Sequence, residues 1–258
     1  MIEALTYDDV LLLPHYSDIR SRSEVDISTD LGNGLKLGLP IISSPMDTVS
    51  EDLMARAISE EGGCAIIHRY NTPEEQAGLV GHARVNGAEN IGFAVGVGDD
   101  MLYRVCECLA AGATFVCVDV AHGHHIMMKE ALQAIREAIG DDLHIMAGNV
   151  ATLKAINDLA DWGANSVRCN IGGGSICSTR VQTGHGHPGL QTIIDCSYTD
   201  RDVAIIADGG IRNSGDIVKA LAAGADAVML GSLLSGTKET PGEVYTRQDG
   251  TKYKTYRG

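Results

Sequence analysis

The stretch Ile171-Gly172-Gly173-Gly174-Ser175-Ile176-Cys177-Ser178-Thr179-Arg180 places three glycines and a serine ahead of a cysteine. Glycines let a backbone come close to a ligand, and a thiolate attacks an electrophilic carbon. The bland alternative is a buried, inert thiol. The chain has seven cysteines, an odd count without the density of a disulfide scaffold, so reduced thiols are expected. Cys106 and Cys108 sit two apart in a helical pattern; they face different sides and make poor partners on a metal. Two other pieces, Gly209-Gly210 and Gly231-Ser232, offer backbone N–H groups of the kind that hold a phosphate. Alone, each pair reads as a turn; with Ser175 they make a phosphate cup. Asp208 precedes the first pair, where a carboxylate can accept hydrogen bonds from a ribose diol. A nucleoside monophosphate is the ligand class expected.

Those residues need a scaffold that brings them together. From residue 41 onward, short apolar, β-branched runs alternate with helical patterns. The runs predict strands over 41–44, 65–68, 91–97, 115–120, 143–147, 166–171, 203–207 and 227–230. Amphipathic stretches predict helices over 51–60, 73–85, 101–110, 127–139, 153–162 and 216–222, several ending in glycine as at Gly112-Ala113, Gly163-Ala164 and Gly224-Ala225, where a left-handed cap is wanted. Eight β/α alternations without a linker predict a closed (β/α)8 TIM barrel of class α/β, a single domain over 1–258, rather than a doubly wound sheet. In such a barrel chemistry sits at the carboxyl ends of the strands. Ser43-Ser44-Pro45-Met46-Asp47, Asp119, Asn149, the cysteine loop, Asp208-Gly209-Gly210 and Gly231-Ser232 all follow strand candidates, so they converge on one rim. Alternation around Gln248-Asp249-Gly250 predicts a projecting β-hairpin over about 243–256. Helices can be counted only through the seventh crossover, so the apolar face of the last strand, 227–230, is expected to need cover from residues outside this sequence or from another subunit.

Composition bounds the partners. With 44% hydrophobic and 4% aromatic residues and 31 glycines, the chain reads as folded and rich in tight turns. A net charge of −14 argues against an electrostatic hold on nucleic acid or an anionic membrane, so an anionic ligand needs a local pocket. No run approaches the roughly 18 apolar residues of a membrane span, and the start, Met1 to Asp9, lacks the basic and apolar regions of a signal peptide. A cytoplasmic location is expected.

Taken in order, "SPMDTV", "AGNV", "GGGSICSTR", "IIADGGI" with "GDIVKALAAGA", "VMLGS", "PGE" and "YRG" resemble the IMP dehydrogenase / GMP reductase family from Leu5 to Gly258. The resemblance implies that Cys177 attacks C2 of a purine and that Thr179 is the catalytic threonine. It implies phosphate ligands at Ser175, Gly210, Gly231, Ser232 and Tyr256, with Gly209 beside them, a ribose ligand at Asp208, and nucleotide-site residues at Ser44 and Met46. Asp119 and Asn149 match groups near the dinucleotide, and the carbonyls of Gly172, Gly174 and Cys177 match a potassium site. The histidine-rich Ala121-His122-Gly123-His124-His125 matches the dinucleotide-side loop, where imidazole is expected to pack against the cofactor rather than bind a metal; Gly184-His185-Gly186-His187 raises the same metal alternative. Asn170 stands where the family has glycine, and Pro188-Gly189-Leu190 replaces Pro-Gln-Leu.

Both family reactions move hydride between C2 and a nicotinamide through a cysteine adduct. The chain runs from Ile67-His68-Arg69 through one helix to Ile91 without a regulatory insertion. "SRSEVD", "IMAGNV", Thr183-Gly184 and "DGTKYK" resemble reductases, whereas "SSPMDTVSE" and "KTYRG" resemble dehydrogenases. The expected activity is therefore NADPH-dependent reductive deamination of GMP to IMP. The alternative is IMP oxidation to XMP with NAD. A further alternative is a purine-nucleotide-binding protein without turnover, because the family's final helix and flap, which follow "YRG", are absent from this sequence. The resemblance also implies a homotetramer.

Overall fold

The computed structural model describes residues 3–258. A short antiparallel pair, β1 (Thr29–Asp30) and β2 (Lys36–Leu37), leads into eight parallel strands. These are β3 (Ile41–Ser43), β4 (Cys64–Ile67), β5 (Ile91–Val95), β6 (Phe115–Asp119), β7 (His144–Val150), β8 (Ser166–Cys169), β9 (Ala204–Asp208) and β10 (Ala227–Leu230). Each pairs with the next, and β10 pairs with β3 through Val228 against Ile41, which closes the barrel. Helices α1 (Asp52–Glu60), α2 (Pro73–Val85), α3 (Met101–Ala110), α4 (Ile126–Ile139) and α5 (Leu153–Asp161) fill the first crossovers. After β8 come α6 (Thr179–Thr183) and α7 (Gly189–Cys196), and α8 (Ser214–Ala222) lies between β9 and β10. The expected (β/α)8 architecture is observed.

The period-2 pattern of the strands sorts their side chains into two cores. Ile42, Ile66, Phe115, Met146, Ile206 and Met229 point inward and share one cluster with Leu31, Leu35 and Leu37 of the β1–β2 hairpin. That hairpin therefore plugs the amino-terminal end of the barrel and leaves only the carboxyl end open. The alternate residues, among them Ile67, Val116, Val118, Val167, Ile205 and Val228, meet the helices in the outer core. Local signals set the helix ends. At α2, Thr72 accepts from the Glu75 N–H at 3.2 Å while Glu75 accepts from the Thr72 N–H at 2.9 Å, a capping box followed by proline at the first helical position. Gly112, Gly163 and Gly224 follow their helices with φ of 101°, 111° and 110°, as their spacing predicted.

Four features differ from expectation. Strand β7 runs on past Ala147 to Val150, and its register against β8 slips between Gly148 and Val150; Asn149 is left out of the ladder and can turn toward the open end. The β8–β9 crossover holds two helices, neither among the stretches predicted. The uncovered face expected at the last strand is not seen: Val228 is fully buried and Leu230 is 3% exposed, with Leu234 from the following turn packed against the same core. The expected hairpin is present but shorter, β11 (Tyr245–Thr246) against β12 (Lys252–Tyr253). No helix is long and apolar enough to cross a membrane among the described residues.

Candidate active site

The open end of the barrel holds a cavity of about 440 Å³. Its thiol is Cys177, carried on the loop that leaves β8. That loop is turned back by the Cys177 N–H donating to the Gly174 carbonyl at 3.1 Å, and α6 begins two residues later. The Cys177 thiol donates to Thr179 Oγ1 at 3.4 Å. None of the other six cysteines lines this cavity. Burial pushes the Cys108 and Cys117 thiols up to about 12 and the Cys64 thiol higher still, so these three stay protonated and inert. Cys106 is exposed and Cys108 buried, so the two face apart as predicted.

Three loops build the cup beside the thiol. Gly209 and Gly210 both adopt positive φ, 83° and 77°, and lie so close to the cysteine loop that a Cβ on Gly210 would stand 3.1 Å from the Gly173 carbonyl. At Gly231 a Cβ would fall 3.0 Å from Ser44 Oγ, 3.1 Å from Met46 Sδ and 3.1 Å from Tyr256 Oη. Only glycine leaves that space open for a ligand. Ser44 Oγ is buried there without a hydrogen-bond partner among the described residues, a polar atom in want of one. Ser175 and Ser232 line the same space.

Opposite the cup, the cavity wall is a charged network. Arg168 projects from β8 with its side chain 8% exposed. Its Nη1 pairs with Asp119 Oδ1. Its Nε and Nη2 donate to Asp208 Oδ2 at 3.0 and 2.8 Å. Asn149, turned inward by the slip in β7, donates from Nδ2 to the same Asp208 oxygen at 2.7 Å and to the Asn170 carbonyl at 3.0 Å. Burial alone would favour losing the Arg168 charge, but Asp208 and Asp119 together hold the guanidinium above its ordinary range. Arg69 approaches from the end of β4: its Nη2 donates to the Asp119 carbonyl at 3.2 Å, and its Nε, 3.8 Å from Asp119 Oδ2, is buried without a hydrogen bond among the described residues.

All the residues expected at the site therefore meet in one cavity: Ser44, Met46, Asp119, Asn149, Gly172, Gly174, Ser175, Cys177, Thr179, Asp208, Gly209, Gly210, Gly231, Ser232 and Tyr256. Arg168 and Arg69 also line it, and sequence reasoning gave neither a role. The signal at Arg168 was legible: a lone arginine inside the apolar run Ser166-Val167-Arg168-Cys169 must find buried acids or cost several kcal/mol, on the order of 3–5. The histidine loop departs from expectation. His124 turns to Asp158 at 2.7 Å and stacks on Trp162, and His125 Nδ1 accepts the Met127 N–H as the cap of α4. Ala121, not a histidine, lines the cavity. No group of three or more metal-ligating side chains exists among the described residues.

Asn170 holds the departure from the family pattern. Its φ is 152°, its side chain is buried, its Nδ2 donates to the Gly209 carbonyl at 3.3 Å, and its Oδ1 has no partner among the described residues. A Cβ on Gly173 would collide with Asn170 Nδ2 at 2.0 Å. The amide of Asn170 thus fills the space that any side chain at 173 would need.

The family model described as IMP dehydrogenase / GMP reductase domain matches residues 4–258. An inosine-5'-monophosphate dehydrogenase of Borreliella burgdorferi is 37% identical, over 99% of this chain and 75% of the relative. That of Nitrosopumilus maritimus is 32% identical over 99% and 80%, and a GMP reductase of Leishmania major is 30% identical over 99% and 79%. The alignment with the Nitrosopumilus protein runs over 381 residues against a chain of 258, so part of that relative has no counterpart here. A match along nearly the whole chain, with the motif residues gathered in one cavity, places this chain in the IMP dehydrogenase / GMP reductase family, a family of oxidoreductases.

Proposed function

We propose that this chain transfers hydride between C2 of a purine ribonucleoside monophosphate and a nicotinamide dinucleotide, through a covalent bond between Cys177 Sγ and C2. The observation that carries the reading is the single cavity thiol at 3.4 Å from Thr179 Oγ1 beside a glycine cup. Thr179 Oγ1 accepts the hydrogen bond of the thiol and aims the sulfur at C2; as the S–C2 bond forms in the reductive direction, the thiol proton leaves with the departing ammonia. Ser175, Gly210, Gly231, Ser232 and Tyr256 hold the phosphate, and Asp208 accepts from the ribose hydroxyls. Together they fix C2 over the sulfur.

The unpartnered Nε of Arg69 and the carboxylate of Asp119 fit a polar dinucleotide on the other side, with Asn149 between. When bound, that group supplies or takes up the hydride. The potassium ion fits the carbonyls of Gly172, Gly174 and Cys177: that of Gly174 accepts one N–H and keeps its second lone pair.

In the reductive direction GMP loses ammonia as the adduct forms, C2 gains hydride from NADPH, and release of the thiolate yields IMP. The motifs at Thr183-Gly184 and Asp249–Lys254 support this direction. Oxidation of IMP with NAD is the second reading, favoured by the names of the dehydrogenase relatives. The test is a pair of assays at 340 nm. Loss of absorbance with GMP and NADPH, with IMP and ammonia formed, supports the reductase; a gain with IMP and NAD supports the dehydrogenase. Inactivity in both with tight nucleotide binding leaves a binding protein.

A homotetramer belongs to the same proposal. It is supported by the run from Leu11 to Ile27, where Leu11 is 87% and Tyr16 94% exposed, an apolar surface suited to a second copy. Light scattering at a monomer mass would remove it. Water is the expected surroundings of such an assembly, and we place it in the cytoplasm.

A further inference from the structure

The network of Asp119, Arg168 and Asp208 joins the two halves of the cavity through one side chain. Asp208 Oδ2 accepts three N–H bonds, two from Arg168 and one from Asn149. Among the described residues no donor reaches its Oδ1, which is left for a ligand hydroxyl. Asp119 spends Oδ1 on Arg168 and faces Arg69 with Oδ2 at 3.8 Å. The side chains are 8%, 13% and 19% exposed at Arg168, Asp208 and Asp119.

A guanidinium is a rigid planar fork. Here its Nη1 edge is committed to one carboxylate and its Nε–Nη2 edge to the other. Any tilt that improves one pairing disturbs the other, and in so dry a place that cost is not screened by water. A lone structural ion pair would need only one of the two acids.

We infer that Arg168 is a positioning residue that couples the purine-nucleotide half of the site to the dinucleotide half, so that each ligand tightens the other. The inference rests on the proposed reading that Asp208 meets the nucleotide ribose and Asp119 the dinucleotide. A ligand hydroxyl on Asp208 fixes that carboxylate, the fork transmits the fixed orientation to Asp119, and the second ligand finds its acid already ordered. By linkage the effect is reciprocal.

The test measures binding by calorimetry, without turnover, in a Cys177→Ala background: GMP and IMP with and without saturating NADPH or NAD, and each dinucleotide with and without nucleotide. The expected result is a tightening of about five-fold or more, equal in both orders. Arg168→Lys keeps the charge but cannot fork, and Asp119→Asn removes the negative charge at one end of the fork while keeping the arginine; in both the factor falls toward one. If Arg168→Lys does not fold, Asp119→Asn decides. A factor that survives in the folded variants, or that is absent in the background protein while nucleotide still binds, overturns the inference and leaves the purine reading standing. Failure of both GMP and IMP to bind overturns the purine reading, and the inference with it.

Discussion

Cys177 Sγ and Thr179 Oγ1 lie 3.4 Å apart, on either side of Ser178 at the start of α6, with the thiol as donor. The helix start sets the backbone of the pair locally: the Val181 and Gln182 N–H groups both bond to the Ser178 carbonyl. Cys177→Ala is expected to retain nucleotide binding and lose hydride transfer entirely. Thr179→Val is expected to lower kcat by about 100-fold or more, with recovery in Thr179→Ser, because the hydroxyl orients the attacking sulfur. Steady-state assays in both directions check this; measurable turnover in the alanine variant would remove Cys177 from the chemistry.

At the cup, contacts to a phosphate are made equally in the ground and transition states. Ser232→Ala should therefore raise KM for the monophosphate by about ten-fold or more, the usual worth of a hydrogen bond to a charged group, with kcat nearly unchanged. Equal affinity of the wild type for nucleoside and nucleotide would show that no cup exists.

Asn170 stands at φ 152°, a conformation that costs a residue with a Cβ about 1–3 kcal/mol. Replacing it by glycine and by alanine separates strain from contact. Both variants lose the bond to the Gly209 carbonyl, but only alanine keeps the strain, so Asn170→Gly should be more stable than Asn170→Ala by about 1–2 kcal/mol. Denaturant unfolding of the two variants measures the difference, and equal midpoints would mean that the backbone has relaxed.

His144 begins β7 fully enclosed. Its Nδ1 lies 2.9 Å from the Gly32 carbonyl and its Nε2 2.8 Å from Ser166 Oγ. Burial pulls its pKa down from 6.5 to about 4, so the folded chain holds it neutral while the unfolded chain takes up a proton. The stability from this group is full above about pH 6.5 and is lost as pH falls from there toward 4, a loss on the order of 3 kcal/mol at most. Thermal melts from pH 7.5 to 5 should show this decline in the wild type and a flatter profile in His144→Gln. Parallel profiles would assign the acid sensitivity elsewhere.

Much of this molecule was legible before folding. Strand alternation, helix caps and glycines after helices are local, period-2 and period-3.6 signals, and they placed eight strands and six helices within a few residues. The loop motifs pointed to a cup and a thiol through their resemblance to a family, and the fold brings those residues to one cavity. What the sequence could not determine was set by contacts between residues far apart in the chain. Arg168 shares Asp119 and Asp208 only because β6, β7, β8 and β9 follow one another around the open end, and Asn149 reaches them only because β7 slips in register. The histidine loop was legible as a cofactor neighbour, yet within it His124 packs on Asp158 and Trp162, since an imidazole between a carboxylate and an indole is already satisfied. Asn170 could be seen as a departure, but the space it takes belongs to Gly173, and only the folded loop shows that the two positions compete for one volume.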